Sequence, residues 1–152
     1  MNDISFLYSI LMTDQVEESV KEKQTELLKI IPELKYEIGF DHKHPHHHLD
    51  VWNHTLLALS MSIKDFDIRL ALLLHDIGKP FCFRRDGYYY HHFEEGEKIA
   101  ERVLKRLRAD NDTIKKVKFL VKEHMVDLDC SMKENKVRRF IVKNREMLNA
   151  LL

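Results

Sequence analysis

Residues 70–80 read "LALLLHDIGKP", and the fold turns on how that run is taken. Ile68, Leu70, Ala71, Leu72, Leu73, Leu74 and Ile77 make residues 66–77 apolar nearly all round. A helix of that kind belongs at the centre of a core rather than on a surface. Gly78 and Pro80 then stop it. Asp76 is thereby expected to be a buried carboxylate at the negative end of a helix, where both desolvation and the macrodipole work against it. Something positive must compensate. Lys79 is one candidate, giving an ion pair beside a hydrogen-bonded histidine. The imidazole of His75 points to the other, a divalent cation held by His and carboxylate together.

The rest of the chain reads outward from this helix. Residues 15–31 have helical character and end at Pro32, 33–50 read as a loop, and 51–64 form a helix opened by Asp50 as N-cap. In "PFCFRRDGYYYHH" (80–92), Asp86-Gly87 between aromatic runs is a hairpin signal. Helices follow at 93–109, striped by Ile99, Val103, Leu104 and Leu107, and at 112–126, with Ile114, Val117, Leu120, Val121 and Met125 inward. A last helix begins near 133 and carries Val137, Phe140, Ile141, Leu148 and Leu151. The expected fold is all-α, a helical bundle with one short β-hairpin insertion.

Composition narrows the function classes. The 152 residues are 44% apolar with only 4 Gly and 3 Pro, which suits one mostly helical domain. Lys+Arg and Asp+Glu both number 25, so no bulk charge announces a nucleic-acid or membrane-surface protein. Cys82 and Cys130 make neither a disulfide framework nor a zinc knuckle, and a reduced, cytoplasmic setting fits them. The opening MNDISFLYSILM lacks the Lys or Arg of a signal peptide, and no stretch approaches a membrane span. What stands out is the 10 His. His54 falls in register with Leu57, Ala58 and Met61, and His124 with Val117, Leu120 and Val121, so both are expected to point inward. His92 sits at the end of the expected hairpin, just before a helix. A single inward histidine is usually an ordinary core residue; several converging on a buried Asp read as metal ligands. The cluster His42, His44, His46, His47 and His48 reads as a loop near the mouth of such a site.

These residues resemble the HD superfamily of metal-dependent phosphohydrolases. Beyond the His75-Asp76 pair, "IPELK" (31–35), "HPHHHLDVWNHTLLAL" (44–59), "HFEEGEKIAERVLKRLR" (92–108), "VKEHM" (121–125) and "VRRF" (137–140) resemble, in order, the HD domain of bacterial CCA-adding tRNA nucleotidyltransferases and poly(A)-polymerase-like enzymes. The resemblance covers residues 31–152, leaving 1–30 as an N-terminal helical segment, and no nucleotidyltransferase head is recognisable. It implies His54, His75 and Asp76 as ligands of a first metal and His92 and His124 as ligands of a second. Lys79 is placed to meet a substrate phosphate, and Arg139 to add cationic charge. The family pattern closes with an Asp on the final helix; this chain reaches Leu152 first, so either the C-terminus is shortened or water or Asp127 fills that position.

The expected activity is hydrolysis of a phosphomonoester or cyclic phosphodiester on a nucleotide or RNA end. Asp76 and Lys79 carry it, with one or two divalent ions among Mn, Fe, Co, Ni, Zn or Mg. Two alternatives stand beside it. One is a non-catalytic RNA-binding or protein-docking module with a structural metal, favoured by Lys136, Arg139 and Lys143 on one helix face. The other is a di-iron oxygenase.

Overall fold

A computed structural model describes residues 1–41, 49–88 and 92–124, with residues 123 and 124 as backbone alone. The elements in chain order are α1 (Asp3–Leu11), α2 (Val16–Glu22), α3 (Gln24–Ile30) and a 3-10 turn (Pro32–Glu37). After them come α4 (Val51–Ser60), α5 (Phe66–Leu74), α6 (Lys79–Asp86), α7 (His92–Arg106), α8 (Asn111–Phe119) and a π-helical turn (Leu120–His124). The bundle is helical, and no strand occurs among the described residues.

Helix α5 is the hub. Every residue from Ile68 to Leu74 is buried, and the helix packs against α1, α4, α8 and the π turn. Burying each of its leucines contributes roughly 1.5–3 kcal/mol. Asp65 caps it, accepting from Ile68 N at 3.0 Å. Arg69 is the exception in this apolar helix. It is 4% exposed, and its guanidinium donates to the carbonyls of Leu11 (2.7 Å), Thr13 (2.9 Å), Ile63 (3.1 Å) and Ser62 (3.3 Å) and to the Ser62 hydroxyl. Burial pulls its pKa below the usual arginine value, with Asp14 and Asp65 opposing. The N-terminal helices are part of the same core, through Leu7, Leu11, Val20 and Leu27.

Asp50 caps α4 as expected, accepting from Asn53 N at 2.7 Å, while its second oxygen accepts from Gly39 N at 2.6 Å. The buried residues of α4 are Val51, Trp52, Thr55, Leu56, Ala58 and Leu59; of the predicted stripe Ala58 is buried, while His54, Leu57 and Met61 lie half-buried at the edge of that face. Ile99, Val103, Leu104 and Leu107, and Ile114, Val117, Leu120 and Val121, are buried as the periodicity predicts.

Residues 15–31 are helical up to Pro32 as expected, in two helices that meet at Lys23 (φ −102°, ψ 18°). Two expectations are corrected. The stretch 33–50 is not all loop, because Pro32 opens a 3-10 turn that buries Leu34 and Glu37. The hairpin is not there: Lys79–Asp86 is helix α6. Pro80 lies in the first turn of α6, where its missing N–H costs nothing. Gly87, at φ 77°, is the left-handed residue that ends the helix, with its N–H on Phe83 O at 2.8 Å. The Asp-Gly pair was a helix stop rather than a strand turn. Residues 89–91, the His cluster at 42–48 and the helix expected from 133 lie outside the described residues.

Candidate metal centre

Helix α5 ends at Leu74, and residues 75–78 form a turn before α6 begins. Asp76 therefore sits between two helix ends instead of in the last turn of one. This turn is pressed against the start of α7. A Cβ on Gly78 would fall 2.4 Å from His92 O and 2.7 Å from Gly96 N. One on Gly96 would reach the His75 carbonyl at 3.8 Å. Gly78 thus lets the two backbones approach closely, and the approach delivers His92 to Asp76.

The side chains meet around the Asp76 carboxylate, which is fully buried. Oδ2 faces His75 Nε2 at 3.1 Å and His54 Nε2 at 3.9 Å. Oδ1 faces Lys79 Nζ at 3.5 Å and His92 Nε2 at 3.7 Å. One ligand atom from each of His54, His75 and Asp76 lies within 4.8 Å of the others. His75 and Lys79 are as deeply buried as Asp76, whereas the side chain of His54 keeps 15% of its surface and marks the side open to solvent.

His75 decides what the cluster can hold. Its Nδ1 is 2.6 Å from the Leu72 carbonyl, and a carbonyl only accepts, so Nδ1 carries the proton. In the neutral ring Nε2 then presents a lone pair to a carboxylate oxygen 3.1 Å away. Two acceptors at that distance require a positive centre between or beside them, either a second proton or a metal ion. A backbone carbonyl on the far nitrogen is also the usual way a metal-binding imidazole is oriented. Two imidazole nitrogens and a carboxylate oxygen form a donor set for a transition-series divalent ion. The residues fit such an ion.

Lys79 departs from the sequence expectation in one respect. Only 1% exposed, its ammonium lies against Asp76 instead of standing open to a phosphate. Arg139 and the side chain of His124 lie outside the described residues, although the π turn that ends at His124 packs on α5 and α7. Sequence reasoning missed Glu37. It is fully buried, Oε1 accepts from the Thr55 hydroxyl at 3.3 Å, and among the described residues Oε2 has no hydrogen-bond partner. Burial, reinforced by the Asp76 charge, pushes its carboxyl up to about 8, with His75, the Thr55 hydrogen bond and Lys79 opposing. The only signal was the Leu34–Glu37 spacing after Pro32, which a 3-10 turn places on one side.

Comparison with known proteins bears on the same residues. The HD domain family matches residues 46–147, about two thirds of the chain. The chain belongs to the HD domain family. This is a superfamily of metal-dependent phosphohydrolases. Similar curated proteins include the A-adding tRNA nucleotidyltransferase of Deinococcus radiodurans, 36% identical over 70% of this chain and 26% of that protein. The CC-adding tRNA nucleotidyltransferase of Thermus thermophilus is 33% identical over 80% of the chain and 30% of that protein. A multifunctional CCA protein of Legionella pneumophila is 28% identical over 74% and 29%. The HD domain chain thus spans between a quarter and a third of the length of these relatives. No solved structure matches it significantly.

Proposed function

We propose that the chain is a divalent-metal phosphohydrolase whose ion is held by His54, His75 and Asp76, with His92 and His124 providing for a second. The observation that carries this reading is the meeting of His75 Nε2 and Asp76 Oδ2 at 3.1 Å, with Nδ1 already committed to the Leu72 carbonyl. When bound, such an ion supplies an acidified water and a Lewis acid for phosphoryl oxygens. The protein's own residues do the rest. His54 stands at the open side, where a substrate arrives. Lys79 balances Asp76 from within and supplies positive charge for a phosphate that enters. Glu37 accepts from the Thr55 hydroxyl and holds it next to His54.

The substrate class is a phosphomonoester or cyclic phosphodiester of a nucleotide or RNA end. Its support is that the relatives are named for tRNA. Mn, Fe, Co, Ni and Zn suit the mixed N/O donors better than Mg alone. The two cysteines, of which Cys82 is buried and unbridged, fit a cytoplasmic setting. No helix among the described residues is long and apolar enough to cross a membrane.

A second reading has one observation in its favour. Lys79 is buried against Asp76, as in a non-catalytic HD module that keeps a structural metal and docks RNA or a protein. One pair of measurements separates the two. His75→Ala and Asp76→Ala are expected to lose bound metal by elemental analysis; unchanged metal content would refute the ligand set. The wild type is expected to hydrolyse an aryl phosphate or a cyclic nucleotide with Mn or Ni, and metal-replete protein without turnover across a metal panel would leave the docking module.

A further inference from the structure

Behind the metal centre the same three elements build a second concavity. Tyr36, Ile77 and Pro80 line it, and their chain neighbours Glu37, Asp76 and Lys79 belong to the buried cluster. The cleft holds about 130 Å³ between the 3-10 turn, α6 and α7. Ile77, Pro80 and Ile99, all buried, make its floor. Tyr36 and Phe81 form its walls, and each ring keeps 45% of its surface.

The rim is cationic. Arg84 and Arg102 both line the cleft and are exposed, and among the described residues neither is hydrogen-bonded to a carboxylate. The Arg84 guanidinium lies 4.9 Å over the Tyr36 ring, with Lys35 5.2 Å from the same ring; Arg85, 5.3 Å over Phe81, is held by Asp86 at 2.8 Å and Glu95 at 3.0 Å and adds no free charge. The acidic residue at the rim, Glu33, is already engaged by Arg106 at 2.8 and 2.9 Å. By contrast, the larger groove between α7 and α8 is walled by ion pairs such as Lys118–Glu101 at 2.7 Å, so its positive charge is spent internally.

We propose that this cleft binds one nucleobase of a single-stranded nucleic acid between Tyr36 and Phe81, with the flanking phosphates on Arg84 and Arg102. Its volume falls below the roughly 300–1,000 Å³ of sites that enclose a whole small molecule. It admits one planar ring and leaves sugar and phosphate outside at the cationic rim. Aromatic faces beside unpaired arginines are the surface chemistry that strand-binding proteins use: stacking for the base, charge for the backbone. The inference does not depend on the phosphohydrolase reading, because no metal and no turnover enter it.

The test is fluorescence anisotropy of an end-labelled oligoadenylate hexamer titrated with the intact protein. Tyr36→Ala and Phe81→Ala are each expected to weaken binding roughly 5- to 150-fold, the range for loss of one base stack, and Tyr36→Phe to retain it. Arg84→Gln and Arg102→Gln are each expected to lower the slope of log affinity against log salt by about one. His75→Ala keeps binding, which separates this site from the metal centre. Because Tyr36 and Phe81 are half exposed, their variants stay folded, and thermal melting verifies it. Alanine variants that bind like wild type would overturn the proposal, as would a Lys115→Ala variant in the other groove that loses as much. AMP competing as well as the hexamer would overturn the strand in favour of a free nucleotide.

Discussion

Replacing Glu37 by Gln removes one ionisable group from beside the cluster while keeping its size and its acceptor for Thr55. In the folded protein the carboxyl titrates near 8, against 4.5 for an ordinary glutamate. The sign follows. Above pH 4.5 the unfolded chain releases this proton while the folded chain retains it, so stability falls as pH rises from about 4.5 to about 8 and is level beyond. At 1.36 kcal/mol per pH unit the whole effect is about 5 kcal/mol, an upper bound that any water entering the site reduces. Glu37→Gln removes this slope. It adds a pH-independent cost of about 1–3 kcal/mol for an amide N–H without an acceptor. Urea unfolding of metal-free wild type and variant, at intervals from pH 5 to 8.5, reads the difference, in which the 10 histidines largely cancel. Wild type is expected to lose several kcal/mol relative to the variant across that window. Parallel profiles would refute the reasoning, because they would mean that Glu37 ionises in the fold as easily as in the unfolded chain. Saturating Mn²⁺ is expected to flatten the wild-type slope, since a cation at the cluster makes an ionised Glu37 affordable.

Gly78→Ala drives a Cβ into the backbone of α7. It is expected to cost about 2–3 kcal/mol, roughly 4–12 °C in melting midpoint, and to weaken metal binding with it; an unchanged midpoint would show that the contact is slack. Lys79→Met keeps the buried volume but removes the cation facing Asp76. Metal affinity by competition with a chelating dye should tighten about tenfold or more, and weaker binding would mean that Lys79 positions Asp76 rather than competing for it.

What the sequence made legible was what local rules determine. The apolar periods of α5, α7 and α8 and the Asp50 cap were readable because a helix face and an N-cap are written within a few residues. The convergence of His54, His75, Asp76 and His92 was expected from their registers and from the family resemblance, and the structure brings these side chains together around the Asp76 carboxylate. Helix α6 was misread because Pro80 and Gly87, which bound it, also bound a strand-and-turn reading. With two phenylalanines alternating between them, only packing decides. Glu37 was illegible for another reason. Its burial depends on Thr55, 18 residues away, and nothing in a polar stretch says that one acid of several will turn inward. For Lys79 two directions were left open, an ion pair with Asp76 and, by the resemblance, a substrate phosphate, because sequence gives a charge without the direction in which its side chain runs; the structure lays it against Asp76.

Arg69 has a practical corollary. The family match begins at residue 46, yet this guanidinium grips carbonyls at Leu11 and Thr13 as firmly as those at Ser62 and Ile63. A fragment trimmed to the matched region would keep the cation and discard half of its clasp, stranding a charge in the middle of the leucine helix that carries His75 and Asp76. The first thirteen residues, ahead of the family match, are thus expected to stabilise the helix that carries the cluster, and expression boundaries should be drawn ahead of α1.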